Sequence, residues 1–129
     1  MKPMIRVLLV EPLERPRVVM FEPTLKNLQK LVGGYIQVTY PFDDNVGLIC
    51  NEDGISMGLP LNRYIQKDMV IFGNFIICGL SDDDFTSLTD EQIKMYDHLF
   101  LYPEIFMKDK DGRVLCYKYG SNEEPFPVF

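Results

Sequence analysis

The hydrophobic pattern opens with a run that is apolar on both of its alternating faces. Met4 to Val10 reads Met-Ile-Arg-Val-Leu-Leu-Val, which is typical of a strand buried between two layers. Pro12 and Pro16 then predict a turn, and Arg17 to Glu22 predicts a second strand. The pattern therefore predicts a central strand that opens a β-hairpin.

Helical spacing follows this hairpin. Thr24 is a suitable N-cap and Gly33 a suitable left-handed C-cap, with leucines and a valine three and four residues apart between them. Next, Tyr35 to Tyr40 alternates in polarity, and a turn at Pro41 to Asn45 leads into the apolar run Val46 to Cys50. The sequence thus predicts a helix and then a second hairpin.

The middle of the chain is less regular. Asn51 to Gly54 has the composition of a turn. We expect Gly58 to Ile65 to form a loop or a single helical turn. We expect Val70 to Cys78 to be the last core strand, with Gly73 marking a bulge or the close approach of another backbone.

A second helix is predicted near Thr89, which forms a capping-box pattern with Gln92. Pro103 is the expected stop. Four residues form its predicted inward face: Ile93, Tyr96, Leu99 and Phe100.

The C-terminal part is predicted to form a hairpin. It spans Ile105 to Tyr119 and turns at Asp111-Gly112, while Asn122 to Phe129 is expected to fray or to lie over an apolar surface. The order of elements predicts an α+β fold, with a largely antiparallel sheet of about five strands and two main helices packed on one face. We expect a single domain over residues 1–129, with a core at about 4–102 and an extension at 103–129.

Composition narrows the function. The chain has 129 residues, of which 47% are hydrophobic, and a net charge of -6. Its 13 basic residues are scattered, so direct binding to the phosphates of nucleic acid is disfavoured. There is neither a secretory leader pattern nor an apolar run of about 18 residues. Three widely spaced cysteines indicate core thiols in a reducing compartment: Cys50, Cys78 and Cys116. We predict a cytoplasmic protein with no membrane contact, no metal and no cofactor.

The candidate site is the segment Met57 to Tyr64, which includes Pro60, Asn62 and Arg63. The Asn62 amide and the planar Arg63 guanidinium would suit a carboxylate, a phosphate or a partner backbone. In the structural alternative, Pro60 opens a short helical turn, Asn62 bonds to local backbone and Arg63 pairs with a nearby acid. The sequence leaves both interpretations open.

Other polar motifs favour structural roles. Gly33-Gly34 follows a helix, whereas a phosphate-binding turn precedes one. Asp82 to Asp84 and Asp109 to Gly112 are typical of helix starts and turns rather than of metal sites. His98 is the single histidine and has no Ser or Cys near it in sequence, which gives no support to nucleophilic catalysis.

Six segments together resemble a known family. They are Met4 to Pro12, Gln29 to Ile36, Tyr40 to Asp43, Leu48 to Gly54, Gly58 to Arg63 and Gly73 to Gly79. This combination, over about Met4 to Leu80, resembles domain of unknown function thirty-eight forty-six, a family of uncharacterised bacterial, phage and mobile-element proteins. The resemblance implies a cytoplasmic accessory protein in a mobile-element context. It makes Asn62 and Arg63 part of the family pattern and assigns no activity.

Three functions from different classes follow. The leading hypothesis is a non-enzymatic module that docks a protein partner through the Pro60 to Tyr64 segment. The alternative is a protein, with or without catalysis, that binds a small molecule or anionic ligand through Arg63 and stacks it on Tyr35, Tyr40 or Tyr64. The third is a nucleic-acid decoy, which requires acidic residues on one face: Asp82 to Asp84, Asp90, Glu91, Glu123 and Glu124. Exposed sheet edges or the aromatic tail would also permit a homo-oligomer.

Overall fold

The computed structural model describes residues 3–82 and 84–128. In these ranges the chain forms two helices and eleven strands. The helices are α1 (Leu25–Val32) and α2 (Asp90–Leu99). The strands are β1 (Ile5–Val10), β2 (Arg17–Phe21), β3 (Ile36–Thr39), β4 (Val46–Asn51), β5 (Leu61–Gln66), β6 (Met69–Phe72), β7 (Phe75–Ser81), β8 (Asp84–Thr86), β9 (Glu104–Lys108), β10 (Val114–Lys118) and β11 (Phe126–Pro127). The predicted α+β class is confirmed.

The main sheet has the order β2-β1-β7-β4-β3, and every neighbouring pair is antiparallel. A short strand, β8, also pairs with β7. Both predicted hairpins, β1 with β2 and β3 with β4, are confirmed. The central strand, β7, lies between β1 and β4 and is buried over most of its length, because both of its faces are covered.

The segment between β4 and β7 differs from the prediction. Leu61–Gln66 is a strand, β5, and not a loop or a helical turn. The run expected as one strand from Val70 is divided into β6 and β7. Gly73 causes the division, because its φ of +84° turns the chain there. The close approach predicted at Gly73 is present, but the neighbour is the side chain of Leu59 rather than another backbone.

Both helices begin and end as the sequence indicates. The Thr24 side chain accepts a hydrogen bond from Asn27 N, and Gly33 ends α1 in the left-handed conformation. Thr89 and Gln92 form the predicted capping box of α2. The expectation that both helices pack on one face is wrong. Each helix joins a different core cluster, one on either face of the main sheet, because β7 alternates its buried side chains between the two faces.

Three of the four residues predicted to form the inward face of α2 do face the core. Tyr96 and Phe100 are buried in the core cluster, and Ile93 packs against it. Leu99 is 46% exposed, because it lies one position before Phe100 and so turns to the outer side of the helix.

β5 and β6 form a separate two-stranded sheet, and the C-terminal residues form a third sheet with the order β11-β10-β9. The predicted hairpin of β9 and β10 is confirmed, and Gly112 takes the positive φ that its turn requires. β11 then pairs with β10, and the following Val128 is buried. The tail therefore covers apolar surface instead of fraying, as far as Val128. Phe129 lies outside the described residues.

Candidate functional site

The predicted site residues Asn62 and Arg63 lie inside the protein. Both have 0% relative exposure, although they are consecutive in a strand. The register of β5 against β6 shifts between Leu61 and Arg63, and such a bulge breaks the alternation that would send one of two neighbouring side chains outward. β5 therefore places an amide and a guanidinium together in the interior.

The Asn62 amide joins two distant pieces of backbone. Its Nδ2 donates to the carbonyl of Val10 at 2.9 Å and to that of Gly73 at 2.8 Å. These carbonyls lie at the end of β1 and in the turn before β7. The Asn62 side chain thus fixes the β5–β6 hairpin against the ends of two inner strands of the main sheet, β1 and β7.

The Arg63 guanidinium makes a wider set of contacts. Its Nη2 donates to the carbonyls of Glu14 at 2.6 Å and Phe100 at 3.0 Å, and its Nη1 donates to Asn62 Oδ1 at 2.9 Å. Burial lowers the pKa of Arg63, and the negative charge of Glu104 partly offsets this effect. The guanidinium holds together the loop after β1, the end of α2 and β5.

Glu104 is a buried polar residue that the sequence analysis did not single out. Its Oε1 accepts a hydrogen bond from Tyr64 N at 2.8 Å and one from the Cys116 thiol at 3.1 Å. Burial, followed by the adjacent Glu104 carboxylate, raises the pKa of Cys116. We call Asn62, Arg63, Glu104 and Cys116 the buried polar network.

The other predicted binding residues lie elsewhere. The Tyr64 ring packs edge-on against Phe126, with centroids 5.2 Å apart. Pro60 is exposed, and its carbonyl accepts a hydrogen bond from Gly73 N at 2.7 Å. Tyr35 is 69% exposed and immediately precedes β3. The structure thus brings Asn62 and Arg63 together in the interior and leaves Tyr35 at the surface beside an edge strand.

Beside β3 lies a groove of about 420 Å³, which we call the acidic groove. It is formed by β3, by the end of β4 with the turn that follows, and by β6 with the turn that precedes it. Its charged lining residues among those the structure describes are all acidic: Glu52, Asp53 and Asp68. The remaining lining residues are Gln37, Thr39, Cys50, Asn51, Gly54, Ile55, Ser56, Met69, Val70, Ile71 and Phe72.

Asn51 holds the turn that carries two of these carboxylates. Its Nδ2 donates to the carbonyl of Val32 at 3.1 Å, and its Oδ1 accepts from Asp53 N at 2.8 Å. The turn is thereby tied to the end of α1. Glu52 and Asp53 are exposed, so their charges face solvent instead of an internal partner.

The outer edge of β3 adjoins the groove. The carbonyl of Tyr35 accepts a hydrogen bond from Glu52 N at 2.8 Å. Backbone groups in an antiparallel pair alternate between facing the partner strand and facing away. Gln37 and Thr39 therefore bond to β4, while Ile36 and Val38 direct their N–H and C=O groups outward. In the described ranges no strand pairs with this edge.

The acidic residues of the decoy hypothesis lie on separate segments. They occur at the β7–β8 turn, at the start of α2 and in the chain before β11. Asp90 pairs with Arg6 at 2.7 Å, and Glu123 pairs with Lys118 at 3.5 Å. Two of the required charges are thus partly neutralised, while Asp83 lies outside the described residues.

Three further features bear on what the chain can do. Across residues 3–82 and 84–128, no three His, Cys, Asp or Glu side chains are grouped so as to hold a metal ion. In the same ranges neither helix has the length and apolar character needed to cross a bilayer. All three cysteines are free thiols and buried, as expected of core residues.

Comparison with known proteins gives one match. A family model described as a domain of unknown function, DUF3846, matches residues 5–101. The match extends about twenty residues beyond the segment whose motifs show the resemblance and ends just after α2. No curated protein and no solved structure matches the chain.

Proposed function

The chain belongs to the family of domain of unknown function DUF3846, and from its geometry we propose that it is a non-enzymatic module that binds an extended, basic segment of a partner protein. The segment lies along the outer edge of β3 and places side chains in the acidic groove. One observation carries this proposal: an unpaired strand edge adjoins a groove whose charged lining is entirely acidic among the described residues.

The strand edge supplies main-chain affinity. Ile36 and Val38 offer N–H and C=O groups at the spacing that an added strand requires. Thr39 Oγ1 is buried beside the groove and has no hydrogen-bond partner in the described part of the chain.

The side chains around the edge supply specificity. Glu52, Asp53 and Asp68 attract Lys or Arg and repel acidic segments. Tyr35 and Tyr40 flank β3, and both are more than 60% exposed. Exposed tyrosines of this kind contribute large contact area at low entropic cost. The partner segment therefore alternates basic side chains with apolar ones.

Asn62 and Arg63 contribute to this function indirectly. Their hydrogen bonds hold β5, β5 pairs with β6, and β6 lines the groove. The alternative in which Arg63 binds an anionic ligand has no support in the geometry, because the guanidinium is buried and donates to the protein's own carbonyls.

The proposed setting is an accessory role in the cytoplasm of a bacterium that carries a phage or mobile element. The family resemblance supports the mobile-element part. The free thiols support a reducing compartment.

The test selects a random peptide library displayed on phage against the folded protein. Enriched peptides should carry Lys or Arg between β-branched or aromatic residues. On binding, amide resonances of residues 36–39, 52–56 and 68–72 should shift. The triple variant Glu52→Gln/Asp53→Asn/Asp68→Asn should weaken binding at least about tenfold, the equivalent of about 1.4 kcal/mol.

The matched control removes one Glu and two Asp elsewhere, as Glu124→Gln/Asp43→Asn/Asp97→Asn, and should retain binding. Val38→Pro is a second probe, because it removes an outward N–H without taking a donor from the β3–β4 ladder. The proposal fails if no peptide is enriched, if the two triple variants lose binding equally, or if the shifted resonances lie away from β3.

A further inference from the structure

The opposite edge of the main sheet, β2, is also unpaired in the described ranges. Arg6, which lies opposite Met20 in the β1–β2 register, donates its N–H to Ser87 Oγ and accepts at its carbonyl from Leu88 N, both at 2.9 Å. The backbone groups of Arg6 therefore face away from β2. By alternation, those of Met20 and Val18 face outward.

The side chains at these two positions are apolar and open to solvent. Val18 is 47% exposed and Met20 is 55% exposed, on the same face of the sheet. Edge strands are usually protected by lysines, prolines or bulges. Within β2 the one charged residue, Arg17, is paired with Glu11 at 3.0 Å, and buried prolines at positions 16 and 23 fix the two ends of the exposed edge.

We propose that a second copy of this chain pairs with β2 in an antiparallel arrangement about a two-fold axis near Val19. Val18 of each copy then lies opposite Met20 of the other, so the outward backbone groups of both strands bond to each other. A shift by one residue would leave them unpaired and would place the side chains on the wrong face. The two main sheets become one continuous sheet.

Charge favours a second copy at this edge over the β3 edge. Arg15, which is exposed, precedes β2, and Glu22 follows it, while Arg17 is already paired with Glu11. The antiparallel approach brings Arg15 of one copy close to Glu22 of the other, and a two-fold interface repeats this contact. At β3 the same approach would bring acidic residues together, at a cost in affinity.

The test measures the mass of the full chain by sedimentation and light scattering. The wild type should have twice the 15.0 kDa mass of one chain. Met20→Pro, which removes an outward N–H, should be monomeric, and Val38→Pro at the other edge is the matched control that stays dimeric. If Met20→Pro does not fold, Met20→Lys replaces it and should also be monomeric. Its control is Met107→Lys on β9, which should remain dimeric.

A charge exchange tests the orientation. Arg15→Glu should weaken the dimer several-fold, and Arg15→Glu/Glu22→Arg should restore it, because the unlike ends face each other again. The proposal is overturned if the wild type sediments as a single chain, if both Met20 variants remain dimeric, or if the double exchange restores nothing.

Discussion

The buried polar network and the acidic groove use polar side chains in opposite ways. In the network, Nη1 and Nη2 of Arg63 donate to three segments of the same chain, and Glu104 accepts from a backbone N–H and a thiol. Arg63 Nε is buried and has no hydrogen-bond partner in the described ranges. In the groove, Glu52 and Asp53 remain exposed to solvent. The same residue types therefore hold the fold together in the network and face solvent in the groove.

The largest expected effect is in the network. Arg63→Ala should reduce the free energy of unfolding by about 3–5 kcal/mol, because it leaves buried carbonyls without donors and removes a positive charge that interacts with buried Glu104. Urea denaturation of the purified variant measures this loss. Arg17→Ala, whose partner Glu11 is at the surface, is the control and should lose less than about 1 kcal/mol. Equal losses of unfolding free energy in the two variants would show that the buried network contributes no more to stability than a surface ion pair.

Gly73→Ala should be the next most damaging change. A Cβ there would come within 2.7 Å of Leu59 Cδ1, in a backbone with φ of +84°. Strain, with a smaller contribution from displacing the flexible end of the Leu59 side chain, should lower the free energy of unfolding by about 2 kcal/mol. Gly112→Ala separates the two causes, because its φ is +80° but nothing lies within 4 Å. It should lose only about 1 kcal/mol, and a loss as large as that of Gly73→Ala would remove any role for Leu59.

The Cys116 thiol gives the network a dependence on pH. Its pKa is raised in the folded state, so the stability it contributes is fully present below the unfolded thiol value of about 9 and is lost as pH rises above it. Cys116→Ser keeps a donor for Glu104 but does not titrate. Its loss of unfolding free energy above pH 9 should be shallower than that of the wild type by up to about 1.4 kcal/mol per pH unit. Identical slopes in denaturation series would show that the thiol does not ionise with unfolding.

The smallest expected effect on stability is in the groove. Glu52→Gln/Asp53→Asn/Asp68→Asn should change the free energy of unfolding by no more than about 0.5 kcal/mol, because surface substitutions of this kind remove no internal contact. Thermal denaturation of this variant beside the wild type measures the change. A loss comparable to that of Arg63→Ala would show that these carboxylates stabilise the fold, and the acidic groove would then not differ from the buried polar network.

Much of the fold follows from local signals. The helix caps at Thr24, Gly33 and Thr89 and both early hairpins were predictable, because each depends on residues close together in sequence. The division of the predicted last core strand at Gly73 was not predictable. A glycine within a strand pattern looks the same in the sequence whether it marks a bulge or a change of chain direction. The assignment of both helices to one face failed because periodicity shows that a face is buried but not which side of the sheet buries it.

The candidate site was harder to predict than the fold. Asn62 and Arg63 stand out in the sequence as exposed polar residues, since nothing local indicates the bulge that turns both inward. The acidic groove combines Gln37, Glu52 and Asp68, which are far apart in sequence and each typical of a strand or turn. The sequence predicts Tyr35 as a stacking residue, and its exposed ring beside β3 is within reach of the segment that the peptide experiment selects.

The central position of β7 has a consequence for how the chain folds during synthesis. The β1–β2 and β3–β4 hairpins leave the ribosome first, but each reaches the other only through β7, with which both β1 and β4 pair. Until residues 75–81 emerge, the apolar strands of the two hairpins lack a common partner. Such late, long-range closure slows folding and lengthens the exposure of aggregation-prone strands. We expect the nascent chain to depend on chaperones up to that point and to gain protease resistance abruptly once β7 is complete.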